Sequence, residues 1–71
     1  MNAGETLSNQ IYEYVKNSIA SGAYENGQLP TEAELAKQFY VSRITTKNAM
    51  KRLADEGLIV RIRGKGSFVN D

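Results

Sequence analysis

Apolar residues recur at steps of three and four through Leu7, Ile11, Tyr14, Val15 and Ile19, the spacing that gives a helix one buried face. Gly22 after Ser21 supplies that helix with a C-terminal stop. Residues 1–6 carry no such period and read as a flexible N-terminal arm, which leaves 7–71 as the folded domain. The stretch SGAYENGQLP then reads as a loop in which Gly27 turns the chain and Leu29 is available to plug the core.

The pattern resumes in LPTEAELAKQF. Thr31 and Glu34 stand at capping-box spacing, and Leu35, Ala36 and Phe39 form the buried side of a short second helix. After a break at Tyr40-Val41, Ser42 caps a third helix whose Thr46, Ala49, Met50 and Leu53 share one face, and Gly57 closes it. Strand-like flanks at Leu58 to Arg63 and Gly66 to Val69 surround the Gly64-Lys65-Gly66 turn, so the chain ends in a hairpin. The order helix, helix, short turn, helix, hairpin predicts a mostly α fold with a small β-hairpin, a winged helix-turn-helix. A three-helix bundle capped by a hairpin gives the same pattern, so architecture alone does not establish a partner.

Charge changes the picture more than composition does. The net charge of 71 residues is only +1, but residues 1–36 hold Lys16 against Glu5, Glu13, Glu25, Glu32 and Glu34. Residues 37–71 hold eight cations against Asp55, Glu56 and Asp71, an asymmetry that points toward a polyanion. With the Thr46/Ala49/Met50/Leu53 face turned inward, the outward face of the third helix collects Ile44, Lys47, Asn48, Lys51 and Arg52. Arg43 and Thr45 flank its first turn.

A nucleic-acid site needs cations and helix-terminal amides for phosphates, and a few forked side chains for base edges. Arg43 has the planar fork that matches guanine, Lys47, Lys51 and Arg52 suit phosphates, and Asn48 suits either. Ile44 is apolar on a polar face and can pack on a thymine methyl, although scattered surface isoleucines also occur without a role. Lys65 at the hairpin tip, with Arg61 and Arg63 behind it, offers a thin finger to a phosphate backbone or a minor groove. Glu32 in the first helical turn is equally accounted for by the helix dipole. Tyr12, Tyr14 and Tyr24 do not cluster with the cations in sequence, and partial burial is their expected fate.

Other classes recede. The chain has no cysteine and no histidine, which removes disulfides, thiolate sites and the commonest general base and zinc ligand. No nucleophile–base constellation is visible, so no enzyme and no cofactor is expected. No apolar run approaches the roughly 18 residues of a membrane span, which makes a cytoplasmic domain the default expectation.

LPTEAELAKQF followed by VSRITTKNAMKRLADEGLIVRIRGKGSFV resembles the N-terminal DNA-binding domain of GntR-type bacterial transcription regulators. The family's usual wording is close to LPSERELA, VSRTTVREAL, L...GL and G.G.FV, four ordered motifs with matching separations. The resemblance implies sequence-specific binding of double-stranded DNA, with two copies on an inverted-repeat operator, in a regulator that is most often a metabolite-responsive repressor. It further implies that a separate C-terminal module, absent from these residues, would bind the small-molecule effector and dimerise. Carried over by position, Arg43 contacts guanine, and Lys47 keeps a cation where the family has arginine. Glu32 contacts a base or orients an arginine, and Gly66 lies at the wing tip beside Lys65. The DNA-binding set is therefore Thr31, Glu32, Ser42, Arg43, Ile44, Thr45, Lys47, Asn48, Lys51, Arg63, Gly64, Lys65 and Gly66. The chain departs from the family at Ala33, often arginine, at Thr46, usually apolar, and at Tyr40, often glycine or asparagine. A left-handed Tyr40 would carry about 1–2 kcal/mol of strain. A winged helix used for protein–protein contact is the remaining alternative, and it would call for an apolar exposed face on the third helix.

Overall fold

Side-chain caps set the starts of the two central helices. In the computed structural model, which describes residues 3–24 and 26–70 and side chains from residue 7 onward, the elements are α1 (Ala3–Ser21), α2 (Glu32–Phe39), α3 (Arg43–Asp55), β1 (Ile59–Ile62) and β2 (Gly66–Val69). Thr31 accepts a hydrogen bond from the Glu34 N–H at 3.1 Å while the Glu34 carboxylate accepts from the Thr31 N–H at 2.9 Å, so the capping box closes. Ser42 accepts from the Thr45 N–H at 3.2 Å and starts α3. Two orphan donors at the start of α2 and one at the start of α3 are thereby satisfied.

Within the arm expected at 1–6, residues 3–6 form the first turn of α1. Met1 and Asn2 lie outside the described residues. Apolar periodicity marks where a helix is buried, and the backbone ladder continues past that point without needing a buried face. Leu7, placed on the buried face by its spacing, is still 37% exposed and lies at the edge of the packed stretch.

Ile11, Tyr12 and Val15 of α1 meet Leu35 of α2, Ala49, Met50 and Leu53 of α3, and Ile59 of β1 in one buried cluster, with Leu29 as the plug the pattern predicted. Thr46 is fully buried on this face. Its hydroxyl donates back to the Ser42 carbonyl at 3.4 Å, which satisfies the polar atom inside an apolar wall. Burial raises the half-buried Tyr24 phenol above its ordinary value, against an opposing hydrogen bond with Ser18.

The hairpin pairs Ile59 with Val69, Val60 with Phe68, Arg61 with Ser67 and Ile62 with Gly66. Its turn is closed by the Lys65 N–H on the Ile62 carbonyl at 3.0 Å, and Gly64 takes φ 81° where a side chain would be strained. The loop before α2 contributes more than a connection. Gln28 bridges Phe68, the Leu29 N–H donates to the Ser67 carbonyl at 2.9 Å, and the Val69 N–H donates to the Gly27 carbonyl at 2.7 Å. The second wing strand is thus paired on both edges, which anchors the wing to the body.

Tyr40 links α2 to α3 in the left-handed region, φ 56° and ψ 46°, with its ring 95% exposed. Its side chain contributes little packing to offset the strain. Tyr40→Gly is therefore expected to stabilise the domain by about 1 kcal/mol, raising the thermal midpoint by roughly 4–8 °C. Thermal unfolding followed by circular dichroism checks this, and a lowered midpoint would show that the exposed ring does contribute to folding.

Candidate nucleic-acid interface

Three backbone stretches converge on one cleft. Thr31, Glu32 and Ala33 come from the start of α2, Arg43 from the first residue of α3, and Arg61 to Ser67 from the wing. The cleft encloses about 790 Å³ and is open to solvent along one side. Its charged groups are Arg43, Arg61, Arg63 and Lys65 against a single carboxylate, Glu32. Among the described residues, Arg43, Arg63 and Lys65 have no carboxylate partner, so their charge is available to an incoming anion.

The outward face of α3 continues from this cleft. Ile44 is 71% exposed, and Arg43, Lys47, Asn48 and Lys51 are exposed beside it. The hydroxyls of Ser42 and Thr45 lie 3.0 Å apart at the helix start, where Ser42 also caps. Lys51 meets Asp55 at 3.3 Å across one turn, a pair so exposed that it holds the lysine only weakly. Every residue of the predicted set is therefore at the cleft or on the α3 face and its cap, and the two regions share Arg43.

Two sequence readings change. Arg52, expected on the phosphate-facing side, is drawn the other way: its guanidinium lies 3.7 Å from the centre of the Tyr12 ring and donates to the Asn9 side-chain carbonyl at 3.2 Å. Glu56 flanks it at 3.8 Å and also accepts from the Tyr12 hydroxyl. Arg52 thus fastens α3 to α1, and a flat guanidinium over an aromatic face is a favourable contact there. Tyr12 accordingly does cluster with cations, Arg52 and Lys16, but its ring is buried beneath them where α1 meets α3, while both cations stay exposed.

The sequence pattern counts Arg61 in the wing's charge and leaves it outside the DNA-binding set. It is bonded to Glu32 at 2.6 Å across 29 positions of chain. Strand alternation contains the signal: Ile59 faces the core, so Arg61 two residues on shares that side, while Val60 and Ile62 face out at 40% and 42% exposure.

A three-helix body with a basic hairpin beside the first turn of its third helix defines a winged helix-turn-helix protein. The chain belongs to the gntR family of bacterial regulatory proteins, whose model matches residues 7–69. It is 42% identical over 62 residues to the HTH-type transcriptional repressor NagR of Bacillus subtilis, covering 86% of this chain and 26% of that protein. It is 43% identical over 75 residues to the probable fructoselysine utilization operon transcriptional repressor of Escherichia coli, covering 97% of this chain and 31% of that one. The chain thus spans less than a third of the length of these curated relatives. Among solved structures it resembles the DNA-binding domain of AraR in complex with operator ORR3, with a TM-score of 0.84 and 36% identity over 89% of this chain and 77% of that one.

Proposed function

We propose that these residues bind double-stranded DNA sequence-specifically, as the operator-recognition domain of a bacterial transcription repressor. The observation that carries this reading is the continuity of the α3 face with the cationic cleft, joined at Arg43. With α3 in the major groove, the wing meets the neighbouring backbone or minor groove, and the strand between the two grooves runs through the cleft. Arg43 reads a guanine, Ile44 packs on a thymine methyl, and Lys47, Lys51, Arg63 and Lys65 take phosphates. Asn48 serves either purpose, and the amides at the capped starts by Thr31 and Ser42 add phosphate donors. Gly64 and Gly66 keep the tip thin.

The relatives' names support repression, and the operator complex of AraR supports a DNA partner. Two copies would occupy an inverted repeat, with effector binding and dimerisation assigned to a module outside residues 7–71. The reading gives the domain a binding role with no catalytic step and no cofactor, at work in the bacterial cytoplasm. The protein-contact alternative gains little, because Ile44 is the one large apolar side chain exposed on α3 among the described residues.

Selection of bound duplexes from a randomised pool, in the presence of competitor, tests the proposal. An enriched half-site bound well above random DNA is the expected result, with a steep fall in affinity as salt rises. Absence of duplex binding even at low salt would overturn it and favour the protein-contact reading.

A further inference from the structure

Backbone strain with no packing to offset it marks the turn between α2 and α3. Tyr40 holds φ 56° and ψ 46°, and among the described residues it is the one non-glycine in the left-handed region. Such outliers persist only where something over-determines them, and they collect at sites that act on a partner. Within the domain nothing of that weight is found. The ring is 95% exposed, which leaves its hydroxyl open to solvent as well.

The surroundings say what a phenol would meet there. Residues 37–47, KQFYVSRITTK, hold Lys37, Arg43 and Lys47 and no carboxylate. Lys37 is exposed in the last turn of α2, and its carbonyl accepts the Tyr40 N–H at 3.4 Å. Neither Lys37 nor Arg43 has a carboxylate partner among the described residues. Tyr40 precedes Arg43 by three residues, at most about 11 Å of chain, so it stands at the end of α3 assigned to base edges. It does not line the cleft. A neutral hydroxyl on a positive surface suits an anionic oxygen, to which it donates one hydrogen bond, and tyrosine is among the side chains that hold DNA phosphates.

We propose that Tyr40 is a DNA-backbone contact: its phenol O–H donates to a phosphate oxygen outside the cleft, beside the start of α3. The left-handed turn holds the ring clear of the domain for that contact. Lys37 and Arg43 on either side draw the strand toward it, and the phenol fixes the strand's position without adding charge. This inference rests on the DNA-binding reading above.

Tyr40→Phe tests it, since the variant keeps the ring and the backbone and loses only the hydroxyl. Its thermal midpoint should match the parent's, while affinity falls about three- to tenfold for selected operator and random duplex alike. The salt slope should not change, because a neutral donor displaces no counterion, whereas loss of a phosphate-bound lysine lowers it by about one. Tyr40→Gly should bind at least as weakly as Tyr40→Phe despite the higher midpoint expected of it. Unchanged affinity of Tyr40→Phe for both duplexes would overturn the proposal. A loss confined to the operator would overturn it too, by placing the phenol on a base. So would a single half-site bound at the parent's strength with only the inverted repeat weakened, which would place Tyr40 between two copies of the domain. If the parent protein itself binds no duplex, the DNA reading fails, and this proposal falls with it.

Discussion

Arg43→Ala is expected to weaken operator binding by about 1–3 kcal/mol, roughly 5- to 150-fold, and to relax selectivity at one base position. Arg43 occupies the first turn of α3, the end of a reading helix that approaches base edges, and no carboxylate among the described residues holds it. Its fork can span two guanine acceptors at once, and a truncated side chain leaves those acceptors facing nothing. Loss of one charge alone would cost about fivefold at 0.15 M salt and would fall equally on every sequence. Discrimination is therefore the measurement that matters. Arg43→Lys separates the two contributions: random-duplex affinity should be retained, and operator preference should still fall, because an ammonium lacks the planar fork. Competition of labelled operator with point-substituted operators reads both variants, and a lysine variant with full preference would reduce Arg43 to a phosphate contact.

The sequence made the helices and caps legible because their causes are local. Thr31 with Glu34, Ser42 with Thr45, and the glycines after α1 and α3 are decided within a few residues of chain. The outward face of α3 was legible for the same reason, since the Thr46/Ala49/Met50/Leu53 stripe fixes its opposite side. What escaped is whatever depends on a partner far along the chain. Arg52 and Lys51 are neighbours with the same charge, yet Tyr12, 40 positions before Arg52, draws only one of them toward α1. Arg61 and Arg63 look alike beside the tip, but Glu32 lies within reach of one. The pairing of Gln28 with Phe68 likewise joins a loop to a strand that sequence spacing treats separately. Charge can be counted from sequence; the direction in which each charge is spent depends on packing.

That dependence makes the buried side of α3 the place where a single change does most harm. Leu53 is fully buried among residues of α1, α2 and β1, and its carbonyl accepts the Leu58 N–H at 3.0 Å where the chain leaves for the wing. Leu53→Ala removes apolar contacts and leaves a cavity, at a cost of about 2.7–5 kcal/mol. A domain of 71 residues has roughly 4–10 kcal/mol of stability in all, so this loss is a quarter of it or more. The thermal midpoint should fall by about 10–40 °C, which scanning calorimetry or circular dichroism checks directly. DNA binding should weaken as well, but in a different manner from Arg43→Ala. Only the folded fraction binds, so operator and random duplex lose the same factor, and their ratio is preserved. Saturating operator should in turn raise the variant's midpoint, because ligand bound to the folded state draws the equilibrium back. A variant that kept its midpoint would mean that the core closes over the missing methyl groups. A variant that lost preference as well as affinity would mean that Leu53 shapes the reading face through the helix, not merely the stability that holds it in place.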